Sequence, residues 1–248
     1  MTIVSNGILH QHVPRSFETL VFDAVSHLCV YLNRDSAPTS QEGRRGQAIG
    51  GGSMSAFAKV AGKVAKQAGV TEIDIIVPTS TRDQRTVLPG CFRPTKNWDF
   101  LVIRDRVPLV ALEFKSIMSS FGNNLNNRAE EAVGQGTDLN TVLQSNGIQP
   151  ESVFSGYLMI MADDSDSRRQ TRNITLPLLD IEVEMNDLSY QQRADRMCQR
   201  LEENGIWYCT SFATTVLSEN VGDFGVLSSV NSPVRFFERM HDFLVENY

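Results

Sequence analysis

The chain has 248 residues, enough for one large domain or a domain with an appended subdomain, and its 41% hydrophobic and 21% charged content is ordinary for a globular protein. No apolar run reaches the roughly 18–20 residues of a bilayer-spanning helix, and the stretch from Met1 to Asn6 lacks the basic and apolar regions of a secretory signal, so a cytoplasmic location is expected. A net charge of −6, taken alone, argues mildly against a nucleic-acid partner, but basic residues group at Arg44/Arg45, at Arg82/Arg85/Arg93/Lys96 and at Arg168/Arg169/Arg172, while acids concentrate at Asp180 to Glu184 and Glu202/Glu203.

Phe17, Leu20, Val21, Ala24, Val25 and Leu28 recur at helical spacing, which predicts an amphipathic helix over 16–32 with Ser16 as its N-cap. Gly50-Gly51-Gly52-Ser53 leads into a second helical pattern, 54–67, ended by Gly69. The triple glycine lacks the Gly-Lys-Ser/Thr ending of a phosphate-binding loop and reads as a turn. A strand is predicted over 71–77, followed by a polar, basic loop over 79–96. Alternating β-rich runs at 98–103 and 109–114, joined by Arg104-Asp105-Arg106, predict a hairpin-like unit. A helix over 126–143 follows an Asn-rich turn. The run 153–161 is apolar throughout, as in a central strand covered on both faces. A charged loop spans 163–173, and a helix over 188–203 is stopped by Asn204-Gly205. A strand follows over 206–217, then a helix over 233–245 with Ser232 as cap and Pro233 in its first turn. The whole reads as an α/β fold, a mixed central sheet flanked by helices. One domain over 1–248 is expected, with an N-terminal helical part (1–70), a sheet core (71–217) and a C-terminal helix (218–248). Cys29, Cys91, Cys198 and Cys209 form no CxxC pair and read as reduced thiols. His10, His12 and His27 do not cluster with them, so no zinc site is expected.

Three charges stand inside apolar runs. Asp99 lies between Trp98 and Phe100, while Glu113 and Lys115 interrupt the run from Leu109 through Phe114. Burying an unpaired carboxylate costs several kcal/mol, so such charges are paired, at an edge, or functional. Strand alternation sets Glu113 and Lys115 on one face and Leu112 and Phe114 on the other. Two carboxylates can hold a hard cation such as Mg²⁺, and a lysine beside it can position a water. A structural ion pair at a strand end fits the same three residues, and the triplet alone leaves both readings open.

The longer runs around the triplet carry a resemblance. Leu88-Pro89-Gly90-Cys91-Phe92-Arg93-Pro94-Thr95-Lys96-Asn97-Trp98-Asp99 resembles the segment before the active site of the XhoI-type restriction endonucleases. Glu113-Phe114-Lys115-Ser116 resembles the same family, as does Phe121-Gly122-Asn123-Asn124-Leu125-Asn126-Asn127-Arg128-Ala129-Glu130-Glu131-Ala132-Val133-Gly134. The resemblance implies a PD-(D/E)XK nuclease core and a homodimer that cuts double-stranded DNA at the palindrome CTCGAG with Mg²⁺, leaving 5′-phosphate ends. It implies Asp99, Glu113 and Lys115 as catalytic residues, with Asp99, Glu113 and the Phe114 backbone carbonyl on the metal. A cognate DNA methyltransferase is expected genetically rather than as a bound subunit. Trp98 stands where the motif's proline would be, and Cys91 where an aromatic is expected.

Arg93 and Lys96, just upstream of the acids, are candidates for phosphate contact. Asn123, Asn124, Asn126, Asn127 and Arg128 are candidates for reading base edges, though turn chemistry explains the asparagines equally. Glu130 and Glu131 are candidates for orienting Lys115, for joining a second metal site, or for complementing a helix N-terminus, and Glu18 is a weaker acidic candidate. The rival readings are a nuclease of the same class acting in repair or on branched DNA, a DNA-binding protein without catalysis, and a plain interaction domain with an internal ion pair.

Overall fold

The computed structural model describes residues 16–34, 54–80, 83–171, 185–217 and 223–248. The triple glycine, His10 and His12, the arginines at 44, 45, 82 and 172, and the acids of 180–184 lie outside the described residues.

Six helices surround a six-stranded sheet among the described residues. In chain order the helices are α1 (Phe17–Arg34), α2 (Ser55–Gln67), α3 (Phe121–Ser145), α4 (Ser165–Arg168), α5 (Tyr190–Glu203) and α6 (Pro233–Asn247). The strands are β1 (Ile75–Ile76), β2 (Val87–Pro89), β3 (Thr95–Asn97), β4 (Phe100–Arg104), β5 (Val107–Ile117), β6 (Phe154–Ala162), β7 (Cys209–Thr215) and β8 (Phe224–Gly225). The main sheet runs β1-β4-β5-β6-β7-β8, and β2 and β3 form a separate small hairpin. The β5–β6 and β6–β7 pairs are parallel, and the other pairs of the main sheet are antiparallel. Parallel neighbours need long crossovers, supplied here by α3 between β5 and β6 and by α5 before β7. The mixed sheet flanked by helices is a restriction-endonuclease-like core, as expected.

Strand alternation divides the core into two layers. Phe100, Leu112, Phe114, Phe154 and Leu158 face α1, α2 and α6. Leu101, Ala111, Tyr157, Met159 and Phe212 face α3 and α5. Every residue of β6 is buried, because helices cover both its faces. Gly156 lets α6 settle onto the sheet: a Cβ there would lie 2.5 Å from Leu112 Cδ2 and 2.6 Å from Phe236 Cζ.

The β4–β5 hairpin turns at Asp105 and Arg106, both in the left-handed region with φ of 51° and 67°. That pair of positive φ values matches the twist of a two-residue hairpin loop. The pairing is regular at Arg104↔Val107 and Ile103↔Pro108, then shifts at a β-bulge to Val102↔Val110 and Phe100↔Leu112. Leu109 is the extra residue.

Several predicted elements are corrected. The strand expected over 71–77 is reduced to Ile75–Ile76, because Thr71 Oγ1 donates to Asp74 Oδ2 at 2.8 Å and closes a turn. The expected loop over 79–96 contains a short 3₁₀ turn at Gln84–Thr86 and the β2–β3 hairpin. The helix expected from 126 begins at Phe121. Asparagine is a poor helix former, but Phe121 and Leu125 bury into the α3/α5 layer, and that packing outweighs local propensity. The helices at 54–67, 188–203 and 233–245 appear close to their expected bounds, and Ser232 Oγ caps α6 by accepting from Arg235 N–H.

Candidate active site

The site grows out of the hairpin. Beyond the bulge, the register of β4 against β5 brings Asp99 beside Glu113 at the mouth of the α3/α5 layer. Asp99 N–H donates to the Leu112 carbonyl at 3.1 Å, and Asp99 Oδ2 accepts from Phe114 N–H at 2.8 Å. The side chain is thereby pinned across the edge of β5. Glu113 and Lys115, two apart on one strand, share a face and form an ion pair through Glu113 Oε1.

Glu113 has a second partner. Lys96 Nζ donates to Glu113 Oε2 at 2.6 Å and to the Asn97 carbonyl at 3.2 Å. The Lys96 side chain is only 8% exposed, and its ammonium lies 4.4 Å from the Trp98 ring centroid. Lys96, expected to offer its charge to DNA phosphate from an open loop, is instead drawn into the site. A strand-like course through β3 carries it there, and a buried carboxylate holds it. No apolar alternation marks β3, so the run looked like a loop. The available clue is that Lys96 and Trp98, two apart in an extended chain, share a side.

From above, α3 contributes Glu131, whose Oε2 lies 3.8 Å from Lys115 Nζ and pairs with Arg128. The expectation that Glu131 orients Lys115 matches this placement. The alternative, complementing a helix start, fails because α3 begins ten residues earlier. Glu130 is exposed and turned away.

Burial pushes the Asp99 carboxyl up to about 7, with the neighbouring Glu113 charge adding to the rise. Burial would raise Glu113 too, but Lys96 and Lys115 outweigh it and hold that carboxyl below its ordinary value. Burial would lower Lys115, yet Glu113, then Asp99 and Glu131, keep its ammonium above the usual lysine range. Lys115 is therefore a fixed positive donor at neutral pH.

Among the described residues no group of three or more His, Cys, Asp or Glu side chains is arranged as a metal cluster. Mg²⁺ does not need one, since it is commonly held by one or two carboxylates, with waters and substrate phosphates completing its shell. Two adjacent carboxylates, one of them kept partly protonated by burial and by the other's charge, fit a hard dication that would relieve their repulsion.

The other candidates are dispersed. Arg93 is committed to Asp138, which also accepts from the Cys91 and Phe92 amides at 2.7 and 2.8 Å. Its side chain is nevertheless 37% exposed. Asn123, Asn126 and Asn127 stand outward on the first turns of α3. Asn124 spends its amide on the Ser119 carbonyl at 2.6 Å. Arg128 is mostly buried and tied to Glu131. Arg85 and Arg168 pair with Asp83 and Asp163. Glu18 and His27 are exposed on α1. None of the cysteines forms a disulfide, and only Cys91 is exposed. No helix among the described residues is long and apolar enough to cross a membrane.

Comparison with known proteins places the chain in a family. The chain is 34% identical over 165 residues to the type II restriction enzyme XhoI of Xanthomonas vasicola, covering 65% of this chain and 64% of that protein. It is 31% identical over 166 residues to the type II restriction enzyme BstVI of Geobacillus stearothermophilus, covering 64% and 71%. A shorter match, 51% identical over 85 residues, covers 34% of this chain and 38% of the type II restriction enzyme AbrI of Azospirillum brasilense. The match to the Xanthomonas protein thus spans just under two thirds of that protein's length. No solved structure matches. Residues 34–226, more than three quarters of the chain, match the family described as restriction endonuclease XhoI, and the chain belongs to that family.

Proposed function

We propose that the protein is a type II restriction endonuclease that hydrolyses phosphodiester bonds of double-stranded DNA at a palindromic site with Mg²⁺. The observation that carries this is the convergence of Asp99, Glu113 and Lys115 on one face at the edge of β4 and β5. Asp99 and Glu113, with the Phe114 backbone carbonyl, would hold the cation. When bound, Mg²⁺ would neutralise charge building on the scissile phosphate. Lys115 holds the attacking water by donating to its oxygen, and its raised affinity for its own proton suits it to stabilise developing hydroxide rather than to remove a proton. Glu131 steadies the Lys115 ammonium from α3.

The likeness to XhoI suggests CTCGAG as the target, with 5′-phosphate ends. A palindromic target calls for two-fold symmetry in its reader, so a homodimer is the expected form. A cognate methyltransferase would protect the host's own sites, and a cytoplasmic location fits that partnership.

Digestion of plasmid DNA in Mg²⁺ tests the reading. Discrete fragments with mappable ends are expected, and chelation should abolish them. Glu113→Gln and Lys115→Ala should each lower the cleavage rate about a hundredfold or more, equivalent to roughly 3 kcal/mol of transition-state stabilisation. Wild-type rates in either variant would sink the assignment. Nonspecific or structure-dependent nicking would favour a repair nuclease.

A further inference from the structure

We propose that Lys96 is the resident counter-cation of the metal-free site, a positioning residue that competes with a divalent cation for Glu113, so that Lys96 sets how strongly metal loading depends on DNA. The proposal rests on the metal assignment of Asp99 and Glu113 above.

Both Glu113 oxygens are occupied by ammonium groups, Oε1 by Lys115 and Oε2 by Lys96. A dication that takes a Glu113 oxygen shares it with one ammonium and is repelled by both, and release of one ammonium relieves that repulsion. Lys115 is also held by its proximity to Glu131. Lys96 is held instead by Glu113, one backbone carbonyl and the Trp98 face. It stands on β3, part of a small two-stranded hairpin outside the main sheet. Lys96 is therefore the ammonium whose release leaves Lys115 and the main sheet in place.

Charge gives the exchange a direction. Glu113 alone already faces two ammonium groups. Adding a dication while both lysines stay would overcharge a buried region, where repulsion is weakly screened. A DNA phosphate beside the site supplies the missing negative charge and a new partner for the released Lys96 ammonium. Metal and DNA should then bind with positive coupling, each raising the affinity for the other by the same factor. The sequence placed Lys96 at phosphate, whereas the structure places it on Glu113. The exchange makes those the two ends of one movement.

Mn²⁺ titration of the full chain, followed by loss of the free-ion electron paramagnetic resonance signal, tests this without reference to cleavage. Lys96→Met should bind Mn²⁺ about tenfold more tightly than wild type in the absence of DNA. Its affinity should also depend less on added duplex. Lys96→Arg, which keeps the charge, should behave like wild type, and Lys96→Gln replaces the methionine variant if that protein does not fold. Unchanged or weaker Mn²⁺ binding in the neutral variant overturns the proposal. If wild type and Lys96→Met bind equally while Glu113→Gln loses the ion, the counter-cation role falls and the metal site stands. If wild type, Lys96→Met and Glu113→Gln are indistinguishable with and without duplex, both fall.

Discussion

Asp138 shows how a single buried carboxylate can organise a segment of chain that lacks regular structure of its own. It lies on α3 and gathers the Cys91 and Phe92 amides and the Arg93 guanidinium, closing the β2–β3 hairpin against the helix. Burial alone would raise its carboxyl, but the Phe92 amide, Arg93 and the Cys91 amide outweigh it and hold it below its ordinary value. Because its affinity for a proton is lower folded than unfolded, the stability it contributes is present above the unfolded carboxylate pKa of about 4. That contribution is lost as pH falls through the lower folded value. Asp138→Ala should cost about 2–4 kcal/mol near neutral pH, since it strands two amides and a guanidinium. The gap between wild type and variant in urea melts should narrow on acidification below about pH 4. The same hairpin carries Lys96, so loosening it should also disturb the Glu113 site.

At the scale of the element, two glycines on α3 respond oppositely to the same change. Gly134 has nothing within 4 Å of where a Cβ would stand. Gly134→Ala should therefore raise stability by about 0.5–1 kcal/mol through helix propensity. A Cβ at Gly136 would lie 2.5 Å from the Ile206 carbonyl oxygen and 2.8 Å from Trp207 Nε1, which donates to the Ala132 carbonyl at 2.9 Å. Gly136→Ala should lower the melting temperature in spite of propensity, because backbone on one side and a bonded indole on the other leave no room to relax. Differential scanning calorimetry of the two variants reads both signs. Elements with strong periodicity were legible in the sequence. The amphipathic spacing of α1, α2 and α6, the unbroken apolar run of β6 and the alternation around Asp99 and Glu113 announce themselves locally. The first turns of α3 were hidden because asparagines speak for a turn, while the forces that wind them into a helix come from residues distant in the chain. The pairing of Lys96 with Glu113 was hidden for the same kind of reason. The two lie 17 positions apart, and a three-residue strand leaves almost no periodic trace. The shared face of Glu113 and Lys115 was legible because strand alternation is a strictly local rule, whereas the place of Asp99 opposite them depends on the bulge.

At the scale of the whole molecule, the two core layers share one sheet, and a perturbation on one face should be felt on the other. Phe154 lies against Tyr208, Phe236 and Phe243, with ring centroids 5.2–5.7 Å apart, in the layer under α1, α2 and α6. Both tryptophans, Trp98 and Trp207, belong to the opposite layer and contact each other edge-on. If the chain folds as one domain, Phe154→Ala should cost about 3–5 kcal/mol. It should shift the tryptophan fluorescence transition as far as the helical circular dichroism transition. Separate transitions would divide the chain into units. The bulge at Leu109 also bears on the whole chain. A regular hairpin around a two-residue loop sets opposite one another only residues separated by an odd number of positions, whereas Asp99 and Glu113 are separated by an even one. The extra residue corrects that parity. Continued without it, the pairing at Ile103↔Pro108 would set Asp99 opposite Leu112. A chain one residue shorter at Leu109 keeps the two acids opposed, because the gap closes at the irregularity itself. A chain one residue shorter at Ala111 sets Asp99 opposite Phe114 and turns Glu113 toward the apolar layer. Changes of chain length between the two acids are therefore tolerable at one point of the hairpin and ruinous a few ångströms away.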